Sequence, residues 1–470
     1  MSKKISPKVT KKIIKATQKV IAKKVVPVKK VVAYSKKDKK MTYSTLRGMR
    51  DILPKDGEMW QKIYEVAKNV STSYGFSYVE TPILEQASLF IRSIGKGTDV
   101  VDKEMYVFED KDNTKVCLRP EMTASLSRSY IENGMQTLPQ PVKMWYHGQM
   151  FRHDRPQAGR FRQFYQFGCE TIGDNGPVVD AELISTAYNT LKDLGIETTV
   201  HVNSIGTIQD RENYIVELVG YLRSKRSYLS EESKKRINKN PLRILDSKDE
   251  QDIVVIEEAP QIIDWLSQDS KKFFTTVLEY LDETEIPYVL TPTLVRGLDY
   301  YSNTVFEFFC DDEEFSHIAL GGGGRYDGLI EQLGGQPTPA AGFALGLDRM
   351  AMILKQRQDK AEREAMNNPV KAKKKNKIFF AQLGEQANKK SLYILELLRR
   401  EGLFVYHNFS KSSLKAQMEI ADKIGSTHTL ILGQKEVQDG SILVRNMDSG
   451  IQEVVDQKKI ANFVRKLLQS

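Results

Sequence analysis

Cysteine is scarce in these 470 residues, and Cys117, Cys169 and Cys310 stand far apart with no CxxC pair among them. Such spacing offers neither a disulfide framework nor a cysteine-based zinc site, so a reducing compartment is expected. The six histidines include no HExxH, which removes the commonest helical zinc signature, and no metal site is expected in the protein itself. No apolar stretch approaches the roughly 20 residues of a membrane span. With 40% hydrophobic and 28% charged residues, the composition is that of a soluble protein with no membrane partner. Arginine is missing from residues 1–40, which makes a mitochondrial transit peptide a poor fit. No uninterrupted apolar core follows the basic start, so a secretory signal is not expected either.

What residues 1–40 contain is lysine, fifteen of them against a single acid, Asp38. Taking their charge of about +14 from the chain's +9 leaves the remaining residues near −5. The basic character therefore belongs to a tail, and the body is mildly acidic. Pro7 and Pro27 interrupt the tail, and repulsion among its lysines opposes a packed core. A disordered polycationic arm is the plain reading. A tether for RNA is the sharper one, because lysines laid on a polyphosphate release counterions.

The length calls for two or three domains. A helix from about Asp56 to Tyr74 is predicted, capped by Asp56, with Trp60, Ile63, Tyr64, Ala67 and Val70 recurring at helical spacing. Between about 104 and 170 come four β-rich runs, KEMYVFED, KVCLRPE, VKMWYHGQMFRH and GRFRQFYQFGCE, interrupted by one helix from about Met122 to Glu132. Without βα alternation, the sheet should be mainly antiparallel. From about 207 to 285 the chain turns helical, charged and poor in glycine, as an inserted subdomain would. A polar, basic linker covers 366–376, and beyond it strands and helices alternate as βαβαβ, the pattern of a small doubly wound domain.

The densest chemistry lies in MFRHDRPQAGRFRQFYQFGCE, residues 150–170. Strand alternation puts Arg162, Phe164, Gln166, Gly168 and Glu170 on one face. A cation, an amide and a carboxylate on a sheet face need partners, supplied either by internal ion pairs or by a ligand.

This run resembles motif 2 of the class II aminoacyl-tRNA synthetases, in the form found in the bacterial-type histidyl-tRNA synthetase family. LRGMRDILP (46–54) and GFSYVETPILE resemble that family's N-terminal signature and motif 1. GGGGRYDGLIEQLGG with PAAGFALGLDRM, within 321–350, resembles motif 3, and LVRGLDYYSNTVFEF (294–308) the histidine-specific motif. The resemblance covers about 42–470. It implies a Lys-rich extension at 1–41, and an α+β catalytic domain at 42–365 with a six-stranded-type antiparallel sheet, flanking helices and the insertion. It further implies the linker at 366–376 and an anticodon-binding α/β domain at 377–470.

The implied reaction joins histidine to ATP, brought with Mg2+ as the substrate complex, to give histidyl-adenylate, and then transfers histidine to the 3′ end of tRNA(His). By the same resemblance Arg152 meets the α-phosphate, Arg349 the nucleotide, and Arg296 is the catalytic arginine. Glu121, Met122 and Thr123 of RPEMT hold the amino end of histidine, with Gln166 nearby, while Glu170 and Tyr301 address the ring beside Tyr300. On a regular strand one of the two tyrosines should point away, while a bend near Gly297 could bring parts of both to the pocket. Gly323 and Gly324 admit ATP to the backbone, and Arg155, Gln157 and Arg160 reach the tRNA acceptor end. Ala158 stands where many bacterial relatives carry lysine or arginine, which puts a phosphate contact there in doubt. A homodimer is also implied; the cytoplasm is the default location, with an organelle as runner-up. Three other readings are weaker: the regulatory paralogue of this fold, an RNA-binding protein on a degenerate body, and a different amino-acid specificity. The intact arginines, the paired tyrosines and QFGCE oppose them.

Overall fold

The computed structural model describes residues 43–95, 98–155, 159–316, 318–367 and 376–469. The Lys-rich arm and most of the linker lie outside these residues. Two compact units divide between Gln356 and Arg357 and are taken in turn.

Trp60, Ile63, Ala67 and Val70 are buried along the helix Pro54–Ser73, as their spacing predicts. Asp56 is not its cap. Leu53 holds that position without a side-chain bond, Pro54 opens the first turn, and Asp56 pairs instead with Lys355 at 2.6 Å.

The strands that follow are β1 (Ser77–Tyr78), β2 (Leu84–Gln86), β3 (Tyr106–Glu109), β4 (Lys115–Leu118), β5 (Val142–Phe151) and β6 (Gln163–Ile172). After them come β7 (Thr198–Ser204), β8 (Tyr288–Leu290), β9 (Ser302–Cys310), β10 (Ala319–Arg325) and β11 (Ala340–Gly346). Eight of these form one sheet in the order β1-β5-β6-β11-β10-β9-β7-β8. It is antiparallel from β5 through β7, and the short β1 and β8 join its edges in parallel. The runs KEMYVFED and KVCLRPE do not enter this sheet; β3 and β4 make a separate three-stranded sheet with β2. Alternation identifies a strand but not the sheet it joins, because pairing is decided by distant partners.

Alternation does divide the large sheet into two faces. Phe167, Cys169, Phe306, Phe308, Phe343 and Leu345 point into one apolar layer with the helices Pro54–Ser73, Pro177–Asp193 and Gln268–Glu283. Gln166, Gly168, Glu170, Glu307 and Gly342 occupy the alternate positions and face the other way. One face is thus a core; the other carries these polar and bare positions beside a second apolar cluster that includes Met144, Tyr146, Met150, Ile172 and Val305. The polar face is where the site forms.

Helices Ile208–Ser224, Glu231–Arg236 and Glu250–Glu257 make up the inserted region. Two buried carboxylates pin it. Asp252 accepts from the hydroxyls of Ser230, Ser233 and Ser247 at 2.8, 2.6 and 2.6 Å, and Asp210 accepts from Ser270 Oγ at 2.6 Å. The helix Gln268–Glu283, last in this stretch of sequence, buries Phe274, Val277 and Leu281 in the layer under the main sheet.

In the second unit, β12 (Ile378–Gln382), β13 (Tyr406–His407) and β14 (His428–Leu432) are parallel, as the βαβαβ pattern predicts. An antiparallel pair, β15 (Ser441–Asn446) and β16 (Gln452–Asp456), extends the sheet to the order β13-β12-β14-β15-β16. Among the described residues no helix is long and apolar enough to cross a membrane.

Candidate active site

A cavity of about 460 Å³ opens over the polar face of the large sheet. At one wall the chain leaves β4 through Pro120 and enters the helix Thr123–Glu132. The N–H groups of Thr123 and Ala124 donate to Glu121 at 2.6 and 2.9 Å, so this carboxylate is held by the exposed amides of the helix start. Burial raises its pKa, and the two amides pull the other way. Glu121, Met122 and Thr123 all line the cavity.

Glu170 lies behind that wall. It is only 1% exposed and accepts from Thr123 Oγ1 at 2.8 Å and from the Tyr326 hydroxyl at 2.5 Å. Burial, the dominant cause, pushes its pKa up to about 8. Its Oε2 occupies the space where a Cβ on Gly342 would stand, only 1.5 Å from the ideal position. Gly342 itself lines the cavity. A methyl there must displace the carboxylate, and Gly342→Ala is expected to cut histidine-dependent pyrophosphate exchange at least about 100-fold, a loss of some 3 kcal/mol in transition-state stabilisation. Exchange within threefold of the parent would contradict this placement of Glu170.

Tyr300 and Tyr301 both line the cavity, although adjacent strand residues would diverge. They precede β9 and lie in the turn that leads into it, so strand alternation does not bind them. Their rings sit 4.7 Å apart, and Tyr326 meets Tyr300 edge-on at 5.7 Å.

The arginines come from three separate places. Arg152, just after β5, donates from Nε to the Pro120 carbonyl at 2.9 Å and lies over Phe164 at 5.4 Å. Arg296 pairs with Glu307 and lies over the Tyr301 ring at 5.5 Å. Arg349, in the first turn of the helix Leu347–Asn367, donates to the Ala319 carbonyl. Burial lowers the pKa of Arg349, and the charges of Arg160 and Arg152 press it in the same direction. Cations gathered in one recess at this cost mark a place for a polyanion.

Gly321 and Gly322 line the cavity, whereas Gly323 and Gly324 do not. A Cβ on Gly323 would meet the Gly342 carbonyl at 2.1 Å, and one on Gly324 the Thr304 carbonyl at 2.4 Å. All four glycines serve the fit of strand to strand, since a Cβ on Gly321 or Gly322 would likewise meet a carbonyl, that of Ala344 at 2.2 Å or of Phe306 at 2.3 Å. Gly322 serves the cavity as well, since its Cβ would lie 2.8 Å from Arg296 Nη1. Arg160 lines the cavity and pairs with Asp154 at 3.1 Å, while Arg155 is exposed. Gln157 and Ala158 lie outside the described residues. Arg162, expected on the face of Gln166, falls before β6, and its N–H donates to the Gly48 carbonyl at 2.7 Å.

Several lining or supporting residues are not singled out by the sequence pattern. Tyr326 follows the glycine run and Glu307 lies within LVRGLDYYSNTVFEF, so both stand inside recognisable motifs, but only pairing across strands shows their partners. Asp348 is the third. It accepts from Arg50 at 2.6 Å and from the Tyr165 N–H at 2.7 Å, tying the LRGMRD segment to the residue beside Arg349. Three buried polar atoms of cavity residues, Gln166 Oε1, the Tyr146 hydroxyl and Arg296 Nε, have no partner among the described residues, as expected where a polar ligand supplies one. Among the described residues no three His, Cys, Asp or Glu side chains gather to hold a metal.

The family model for histidyl-tRNA synthetase matches residues 48–350, and that for an anticodon binding domain matches 373–467. A histidine–tRNA ligase of Dehalococcoides mccartyi is 41% identical over 425 residues, 90% of this chain and 99% of the relative. One of Desulforamulus reducens is 40% identical over 420 residues, 89% of this chain and 98% of the relative. The crystal structure of the apo histidyl-tRNA synthetase of S. aureus superposes with a TM-score of 0.71 at 32% identity, covering 90% of this chain and all of that one. With its class II sheet, its cluster of arginines and its matched anticodon-binding domain, this chain belongs to the histidyl-tRNA synthetases, the ligases that use ATP to join histidine to tRNA.

Proposed function

We propose the following division of labour. Glu121 and Thr123 hold the α-ammonium of histidine, Met122 backs them with an apolar surface, and Gln166 lies alongside. Glu170 and Tyr301 address the imidazole, with Tyr300 beside it. The observation that carries this reading is that Gln166 Oε1 and the Tyr146 hydroxyl, two of three unpartnered buried atoms of cavity residues, lie in a cavity walled by Glu121, Thr123 and both tyrosines. An apolar analogue leaves such groups unpaired, which in sites of this kind costs about four orders of magnitude or more.

In the first step the histidine carboxylate attacks the α-phosphorus in line, and pyrophosphate leaves. Negative charge on the α-phosphate oxygens is met by Arg152 and Arg296, and Arg349 holds the nucleotide. Gly322, whose missing Cβ leaves room beside Arg296, gives the nucleotide its approach to bare backbone, with Gly323 and Gly324 alongside. Magnesium arrives with ATP as part of the substrate. In the second step a terminal ribose hydroxyl of the tRNA attacks the carbonyl carbon and AMP leaves. Arg155, Gln157 and Arg160 are assigned to the acceptor end.

Domain limits at 42–365 and 377–470, a homodimer and a cytoplasmic setting complete the reading. Histidine-dependent pyrophosphate exchange, run across the standard amino acids, tests the site. Histidine should exceed every other amino acid by at least about 10⁴-fold in kcat/KM. A second amino acid within tenfold of histidine would refute the assignment of Glu170 and the tyrosines. Sedimentation at micromolar concentration tests the dimer, and a monomer there would refute it.

A further inference from the structure

The turn that carries Arg296, Tyr300 and Tyr301 is built against the inserted helices as well as the sheet. Arg211, in the first turn of the helix Ile208–Ser224, donates from Nη1 to the carbonyl of Tyr301 at 2.9 Å. One step along, the chain entering the insertion exchanges bonds with Asn303: Ile205 N donates to the Asn303 carbonyl at 2.8 Å, and Asn303 N to the Gly206 carbonyl at 2.8 Å. Asn303, the second residue of β9, takes a positive φ of 49° there, and the pairing of β9 with β10 shifts register at that point. At its other end Asn240 Nδ2 approaches Asp299 Oδ1 at 3.4 Å, and the Arg243 guanidinium packs over Gly297, 3.2 Å from where a Cβ would lie.

We propose that Arg211 is a positioning residue for histidine: by holding the Tyr301 carbonyl it fixes the turn in the form that turns both tyrosine rings into the cavity. The proposal rests on the assignment of Tyr300 and Tyr301 to histidine above. The geometry favours it over a purely structural bond, because the residue Arg211 grips is the one whose ring lies under Arg296. A five-donor planar cation suits this task, since it holds a carbonyl in one fixed direction. Half-buried, Arg211 bears a desolvation cost that lowers its pKa, with Asp299 and Glu212 opposing the shift.

The test measures exchange kinetics for the full chain carrying Arg211→Ala, Arg211→Met or Tyr301→Phe. Methionine keeps the packing of the stem and loses the donors. Both Arg211 variants should raise the KM for histidine about tenfold or more, the scale of a hydrogen bond from a charged donor, and leave the KM for ATP within about twofold. Arg211→Met with a wild-type KM for histidine overturns the proposal, as does an equal rise for both substrates. Tyr301→Phe separates the two ideas. A normal histidine KM in that variant means the tyrosine assignment has failed; a raised one beside a normal Arg211→Met means that only the positioning role has failed.

Discussion

Arg296→Ala is expected to slow histidine-dependent pyrophosphate exchange by about 10²–10³-fold, the usual loss when one donor to transition-state charge is removed. Equilibrium binding of histidine should stay within a few-fold. The guanidinium is fixed before substrate arrives, by Glu307 on one side and by the Tyr301 ring on the other. In the proposed role, such fixing sets the charge in advance against the α-phosphate and leaves little to reorganise in the reaction. Removing Arg296 also strands Glu307, a carboxylate then facing a bound triphosphate. The double variant Arg296→Ala/Glu307→Gln should therefore recover ATP affinity relative to the single one, without recovering the rate. Lysine at 296 keeps the charge but loses the planar fork, and it should restore only a small part of the activity. Near-wild-type exchange in Arg296→Ala would remove this residue from the chemistry.

At pH 8.5, where Glu170 is ionised, Glu170→Gln should raise the KM for histidine about 100-fold, as expected when a buried ring donor loses a charged acceptor worth up to some 3 kcal/mol. The same residue predicts a pH dependence. With its pKa near 8, Glu170 is mostly protonated at pH 7 in the ligand-free protein. If the ionised form receives a ring N–H, the wild-type KM for histidine should fall between pH 7 and 8.5, and the Gln variant should lose that slope. Stability moves the opposite way. Between the ordinary value of 4.5 and about 8, the folded chain keeps a proton that the unfolded chain has released. Stability then declines as pH rises through that window. Glu170→Gln removes this contribution, so its Tm should drop less than the wild type's between pH 6 and 9. Parallel melting curves for the two proteins would show that Glu170 does not titrate there.

Much of this site is legible in the amino-acid sequence alone. The strand face with Gln166 and Glu170, the RPEMT helix start and the three arginines all sit in local runs whose spacing carries meaning. What the sequence hides depends on partners distant in the chain. Tyr326 is an ordinary aromatic until β11 lies beside β6 and opens Glu170 to it. The glycine run 321–324 looks like loop until the register shows it as β10, with a neighbouring carbonyl at each missing Cβ. The adjacent tyrosines conflict only under the assumption of a strand, and the turn before β9 removes it. Asp56 fails as a cap because Pro54 already begins the helix and Lys355 claims the carboxylate. Of the fold, element types and the antiparallel order are legible. The separate sheet of β2, β3 and β4 is not, since no local pattern states which sheet a strand will join.

The bond between Arg50 and Asp348 spans 298 residues of chain. A ribosome must therefore release almost the whole first unit before the recess for ATP can close. Until then Arg349 has no fixed place, and the polar face of the sheet stands open beside nascent helices. Contacts this remote in sequence are slow to form and costly in chain entropy. On the proposed assignment of this recess to ATP, nucleotide binding becomes a late event in the life of the polypeptide, one that reports that the unit has been made to its end.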